Sequence, residues 1–109
     1  MKRLSIKENL FREGEYLIGF EQTGTHACYF LYGILKPGEQ REMSPGKGHV
    51  EIICLLEGEA EVTKDGEKEK FIKGEGFLLE GEEKLEMKNV SSKPLVYVVS
   101  GGHSDLSHH

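Results

Sequence analysis

Residues 36–58, KPGEQREMSPGKGHVEIICLLEG, constrain this chain more than any other stretch. Pro37-Gly38 and Pro45-Gly46 are turn dipeptides, and Gly58 closes the segment. Between the second turn and that glycine the residues have strong β propensity. In an extended strand alternate side chains share a face, so His49, Glu51, Ile53 and Leu55 point the same way. An imidazole and a carboxylate therefore sit beside two apolar residues on one sheet face. That arrangement predicts a cavity wall. Cys54 has the opposite parity, faces away, and is read as a packing residue.

The rest of the chain repeats this punctuation. Residues 1–14 read as a polar arm with a short strand, resting on a neighbour. Residues 16–20 read as a strand, and residues 22–25 as a turn. Residues 26–35, HACYFLYGIL, are too uniformly apolar for an edge and predict a central, covered strand. A short polar strand follows over residues 39–43, then the strand from His49, then residues 59–63. Asp65-Gly66 is a strong two-residue hairpin signal, with residues 67–72 returning. Residues 77–79, 84–89 and 95–100 complete the set, and Leu85 and Met87 share a face. Turns recur roughly every 8–12 residues and no stretch carries a helical period, which predicts an antiparallel sandwich or barrel. One domain covers residues 1–109, with the arm at 1–14, the barrel at about 15–100 and a polar tail at 101–109.

Composition narrows the class. At 109 residues the chain suits one modest core. A net charge of −5 with lysines scattered among glutamates disfavours nucleic acid and anionic membrane as partners. No apolar run approaches the roughly 18–20 residues that span a bilayer. The first residues lack an apolar signal core, so a cytoplasmic location is expected. Cys28 and Cys54 form no Cys-x-x-Cys pair and are expected as free thiols. Abundant Glu and Lys beside few Asn and Gln give a thermophile-like composition.

With these features in place, the chain resembles the cupins, small double-stranded β-helix or jelly-roll barrels. Their first motif has a Pro-Gly turn, two histidines one residue apart, a glutamate, and a glycine seven residues later; Pro37-Gly38, Glu51 and Gly58 match. Their second motif opens on a Gly-Asp-like turn and carries a proline, a histidine and an asparagine; Gly74-Glu75 opens it here and Asn89 ends it. The resemblance covers residues 35–100. It implies an all-β jelly-roll barrel and a homodimer.

It also shows where this chain departs from the family. Cupin metal sites usually use three histidines and a glutamate. In this register the histidine positions fall on Pro45, Lys47 and Leu85, and the proline on Glu80. Proline and leucine have no donor and a protonated lysine repels a cation, so no metal is expected with the family geometry and no cofactor is predicted. A rebuilt divalent site would need His49, Glu51 and His103, or His26 in place of His103; the terminal His108-His109 pair reads as disordered or tag-derived.

The function expected from the resemblance is binding of a small polar or anionic metabolite in the barrel mouth. Lys47, His49 and Glu51 would hold it, and Leu85 and Met87, with Ile53 and Phe77, would shape an apolar wall. The alternative is a cupin-type isomerase, epimerase or lyase in which His49 and Glu51 are catalytic and move protons. A metal-dependent cupin enzyme with the rebuilt site is a further alternative.

Overall fold

A computed structural model describes residues 1–103; residues 104–109, with His108 and His109, lie outside the described residues. A 3-10 turn at Ile6–Glu8 precedes ten strands and one short helix: β1 (Leu10–Arg12), β2 (Glu15–Ile18), α1 (Phe20–Thr23), β3 (Cys28–Leu35), β4 (Gln40–Met43), β5 (His49–Glu57), β6 (Glu59–Lys64), β7 (Glu67–Ile72), β8 (Gly76–Glu80), β9 (Leu85–Asn89) and β10 (Leu95–His103). They build a six-stranded sheet, β1-β2-β3-β10-β5-β8, against a four-stranded sheet, β4-β9-β6-β7, with every pairing antiparallel. This is the expected all-β jelly roll. No helix is long and apolar enough to cross a membrane among the described residues.

Local chemistry explains the elements. Asp65 and Gly66 both take positive φ, 51° and 80°, the geometry of a primed turn whose twist matches the flanking β6 and β7. Asn89 is buried and fully used: its amide donates to the Leu35 and Lys93 carbonyls at 2.9 and 2.8 Å, and its Oδ1 accepts from the Ser91 amide and hydroxyl. The asparagine thereby fastens the β9–β10 turn to the end of β3.

Two boundaries differ from those expected. Phe20 starts a helical turn rather than ending a strand, because the Gln22 side chain accepts from the Gly19 amide at 2.7 Å and fixes the chain reversal. The arm carries β1, which pairs with β2 at the edge of the six-stranded sheet. Gly101–His103 belong to the last strand and not to a tail. Two glycines read as a strand break, yet here a side chain would not fit. A Cβ on Gly101 would lie 2.4 Å from Tyr29 Cζ, and one on Gly102 2.5 Å from the Ala27 carbonyl oxygen.

The core lies between the sheets. Leu35, Ile53, Leu55, Leu79 and Leu95 from the six-stranded sheet meet Met43, Ala60, Val62, Leu85 and Met87 from the other. The two outer faces are unlike. On the four-stranded sheet Glu59 and Glu61 pair with Lys70 and Lys68, as a water-facing sheet should. On the six-stranded sheet one cross-strand row runs Leu78, Ile52, Ser100, Phe30, Ile18, and the next runs Cys54, Val98, Tyr32, Tyr16, Leu10. Neither row carries a charge, and Ile52 and Leu78 remain 53% and 55% exposed.

Candidate functional site

The inner face of the six-stranded sheet holds two matching rows. In one, Tyr97 on β10 stands opposite Gly33 on β3, which stands opposite Glu15 on β2. In the other, Tyr29 on β3 stands opposite Gly101 on β10, which stands opposite Glu51 on β5. In each row the tyrosine lies across the glycine and donates its hydroxyl to the glutamate two strands away, at 2.5 Å. The glycines make this crossing available, because a Cβ on Gly33 would sit 2.1 Å from Tyr97 Cζ.

The two rows differ in their surroundings. The Glu15 row is closed off by its own partners: Glu15, which borders the cavity described next, is only 2% exposed and Tyr97 is fully buried, with Arg12 paired to Glu15 and the Arg41 guanidinium donating to the Tyr97 hydroxyl at 2.6 Å. The buried carboxylate is thus matched by cations and hydrogen bonds, as burial of a charge requires. The Glu51 row opens on a cavity of about 390 Å³. Tyr29, His49 and Glu51 form one wall, and Leu17, Leu31 and Val99 the apolar floor. Residues 42–45 and the rings of Phe11 and Phe20 form the rim. Glu51 accepts only the Tyr29 bond and enters no ion pair among the described residues.

Both phenols are pushed well above their ordinary range, by burial first and then by the hydrogen bond and charge of the facing glutamate. Each therefore stays protonated and acts as a donor. Tyr29 is not a base; it holds the Glu51 carboxylate in place.

An aromatic file continues from Tyr29. The His49 ring lies 5.9 Å away, His103 4.9 Å beyond it and His26 6.0 Å further, with His26 stacked on Phe20 at 4.0 Å. His49 Nδ1 is enclosed and has no hydrogen-bond partner among the described residues.

Of the residues expected at the site, His49 and Glu51 line the cavity side by side. Lys47 does not: it is exposed, and the positive φ of Gly46 and Gly48 on either side carries it outward on a loop. Leu85 and Met87 do not either. They lie on β9 of the opposite sheet, 5% and 0% exposed, and fill the core; Leu85 borders a separate cleft beside Phe71 and Phe77. Sequence reading missed Tyr29, Glu15, Arg41 and Tyr97. The available signal was a glycine inside each apolar strand, Gly33 and Gly101.

The family's metal chemistry does not fit this donor set. Pro45 is on the cavity rim without a donor atom, Lys47 is outside, Leu85 is core, and Glu51 is engaged by Tyr29. The rebuilt set fares no better as geometry: among the described residues no three His, Cys, Asp or Glu side chains, His49, Glu51 and His103 included, are arranged to hold an ion.

The architecture is shared with solved structures. The cupin domain of an XRE family transcriptional regulator from Enterobacter cloacae superposes with a TM-score of 0.68 at 24% identity, over 83% of this chain and 97% of that one. A predicted oxalate decarboxylase from Thermotoga maritima gives 0.68 at 18% identity, over 82% and 80%. A sugar phosphate isomerase of the cupin superfamily from Silicibacter pomeroyi gives 0.64 at 16% identity, over 86% and 68%. At these identities the likeness is one of fold. No curated protein matches the chain. The profile of the Cupin domain matches residues 31–101, which span both motifs and include His49, Glu51 and Gly101 but not Tyr29, and the chain belongs to the cupin family.

Proposed function

We propose that this cupin binds a small polar molecule in the Glu51 cavity without the family's metal. The observation that carries this reading is the Tyr29–Glu51 pair: a carboxylate fixed by a permanent donor, matched by no cation among the described residues, on the wall of an open-mouthed and largely apolar cavity. His49 adds a second polar group to the same wall. The sealed Glu15 row performs the structural role that the Glu51 row leaves undone. Binding is tested by amide and side-chain NMR titration with a panel of small polyols, amines and acids, with and without EDTA. The reading requires shifts clustered at Tyr29, His49 and Glu51, insensitive to the chelator and weakened in Glu51→Gln. Shifts that vanish with EDTA, or that cluster elsewhere, overturn it.

A second reading, proton transfer by His49 and Glu51 in an isomerase-, epimerase- or lyase-type reaction, is favoured by one feature. The imidazole and carboxylate project from alternate positions of β5 into the same cavity. A His49→Ala protein that keeps its fold and ligand affinity but loses turnover would support it; unchanged turnover would remove it.

We further propose a homodimer through the outer face of the six-stranded sheet. That face is uncharged along two full cross-strand rows, while the chain as a whole carries −5, so two copies meet there without mutual repulsion. A cytoplasmic location accords with the free thiols of Cys28 and Cys54.

A further inference from the structure

Charge and ring placement narrow the ligand class, on the footing of the cavity reading above. Glu51 and the buried Glu15 line the cavity against a single arginine, Arg12; Glu42 borders it from β4, but its side chain has the outward parity and stands opposite Glu86. Arg12 is committed: it pairs with Glu15 and lies over the Phe11 ring, 5.7 Å from its centroid. Arg41 is likewise held by Glu15 and Tyr97. Lys47, the cation expected to attract an anion, is outside. Glu51 therefore faces the cavity without an ion-pair partner among the described residues. An anionic guest would meet the Glu51 carboxylate and, among the described residues, only arginines already paired to Glu15.

The rings supply the other half. Phe11 and Phe20 stand on the rim, 56% and 51% exposed, with Arg12 over the first ring and His26 stacked on the second. Tyr29 presents its ring on the wall beside Glu51. Aromatic faces next to a carboxylate, in a space with an apolar floor, are the surroundings that stabilise an organic cation, whose weak hydration makes it easy to transfer from water.

We infer that the cavity takes a small organic cation of the alkylammonium class, its charged head against Glu51 and Tyr29 and its apolar part against Leu17, Leu31 and Val99. The Tyr29 hydroxyl occupies one carboxylate oxygen of Glu51 and leaves the other to the guest. A quaternary ammonium satisfies this arrangement by charge alone, and a primary or secondary amine adds a hydrogen bond.

Three probes of nearly one shape test it: choline, the uncharged isostere dimethylbutanol, and the anionic dimethylbutanoate, each titrated by NMR into the full-length protein. Choline is expected to shift the signals of Tyr29, His49 and Glu51 with at least about tenfold higher affinity than dimethylbutanol, and dimethylbutanoate to leave them unmoved. Glu51→Gln is expected to remove that preference. Leu78→Lys, on the outer face of the six-stranded sheet, is expected to preserve it, and amide signals of Glu51→Gln that stay in place away from the cavity distinguish loss of the charge from a general loss of structure. Equal affinity for choline and dimethylbutanol, or preference for dimethylbutanoate, at the same residues overturns the cation class and leaves the cavity reading standing. No shift with any of the three overturns the cation class, and if polyols are also silent the cavity reading falls with it.

Discussion

Tyr29 and Glu51 sit on strands that are not neighbours, yet their oxygens are 2.5 Å apart because Gly101 on the intervening strand offers the phenol a passage. Tyr97 and Glu15 repeat the relationship over Gly33. One arrangement is enclosed by arginines and the other faces a cavity, so the pair of rows separates what the motif does for stability from what it offers a ligand.

Alanine at the two glycines should therefore have unequal effects. Gly33→Ala drives a methyl into the fully buried Tyr97 ring, which has nowhere to go, and should cost roughly 2–3 kcal/mol, at the upper end for overpacking. Gly101→Ala meets a Tyr29 ring that can swing into the cavity, and should cost about 1 kcal/mol or less while abolishing ligand-induced shifts at Glu51. Urea unfolding midpoints of the two variants check the order.

Removing a single oxygen from the sealed row tests its satisfaction. Tyr97→Phe leaves Glu15 and Arg41 each short of one hydrogen bond in a buried setting and should destabilise by about 1–3 kcal/mol. Tyr29→Phe, beside an open cavity where water can replace the phenol, should cost less than half as much. Paired calorimetric melts decide this.

The phenols also set a pH limit. Both are raised above the ordinary value of 10.0, so above that pH the unfolded chain releases protons that the folded chain keeps. Stability contributed by these phenols is complete below pH 10 and is lost as pH climbs towards their folded-state values, at up to about 1.4 kcal/mol per pH unit for each tyrosine. The Tyr29→Phe, Tyr97→Phe double variant should show a shallower alkaline fall in unfolding free energy than the parent, and an identical slope would refute the assignment.

His49 keeps an enclosed, unpartnered nitrogen, which a structural residue would not need. His49→Phe should fold with equal or higher stability, by up to about 1 kcal/mol, since it removes an unsatisfied polar atom and retains the ring. Ligand shifts should weaken at the same time. A large fall in melting temperature would instead assign the imidazole a structural role.

Ile52→Glu or Leu78→Lys, on the outer face of the six-stranded sheet, should convert the proposed dimer to monomer without changing the cavity. Light scattering coupled to size-exclusion chromatography reads this directly; a parent protein that is already monomeric at micromolar concentration would end the proposal.

Period-two patterning and turn dipeptides made most of this architecture legible. The Asp65-Gly66 hairpin and the shared face of His49 and Glu51 needed no more than local rules. Lys47 was placed at the site through the family register, which does not reveal that two left-handed glycines carry its side chain outward on a loop. Leu85 and Met87 were read as cavity wall because the inner face of a sheet does not reveal which stretch of it is filled by the facing sheet. The Glu15 network was illegible for another reason: its partners at positions 41 and 97 are brought to it only by the order of strands, which no short window contains. The last strand was cut short because Gly101-Gly102 looks like a terminator unless one knows that Tyr29 and the Ala27 carbonyl fill the space of the missing side chains.

β3 and β10 each lay a tyrosine into the other's glycine notch, Tyr29 at Gly101 and Tyr97 at Gly33. Sliding one strand by two residues would keep every inward side chain inward but would set Tyr97 against Leu31 or Leu35, where a side chain stands in the way. The alignment of two segments from opposite ends of the chain is thus keyed by shape, as teeth in a zip, and does not depend on a connecting turn.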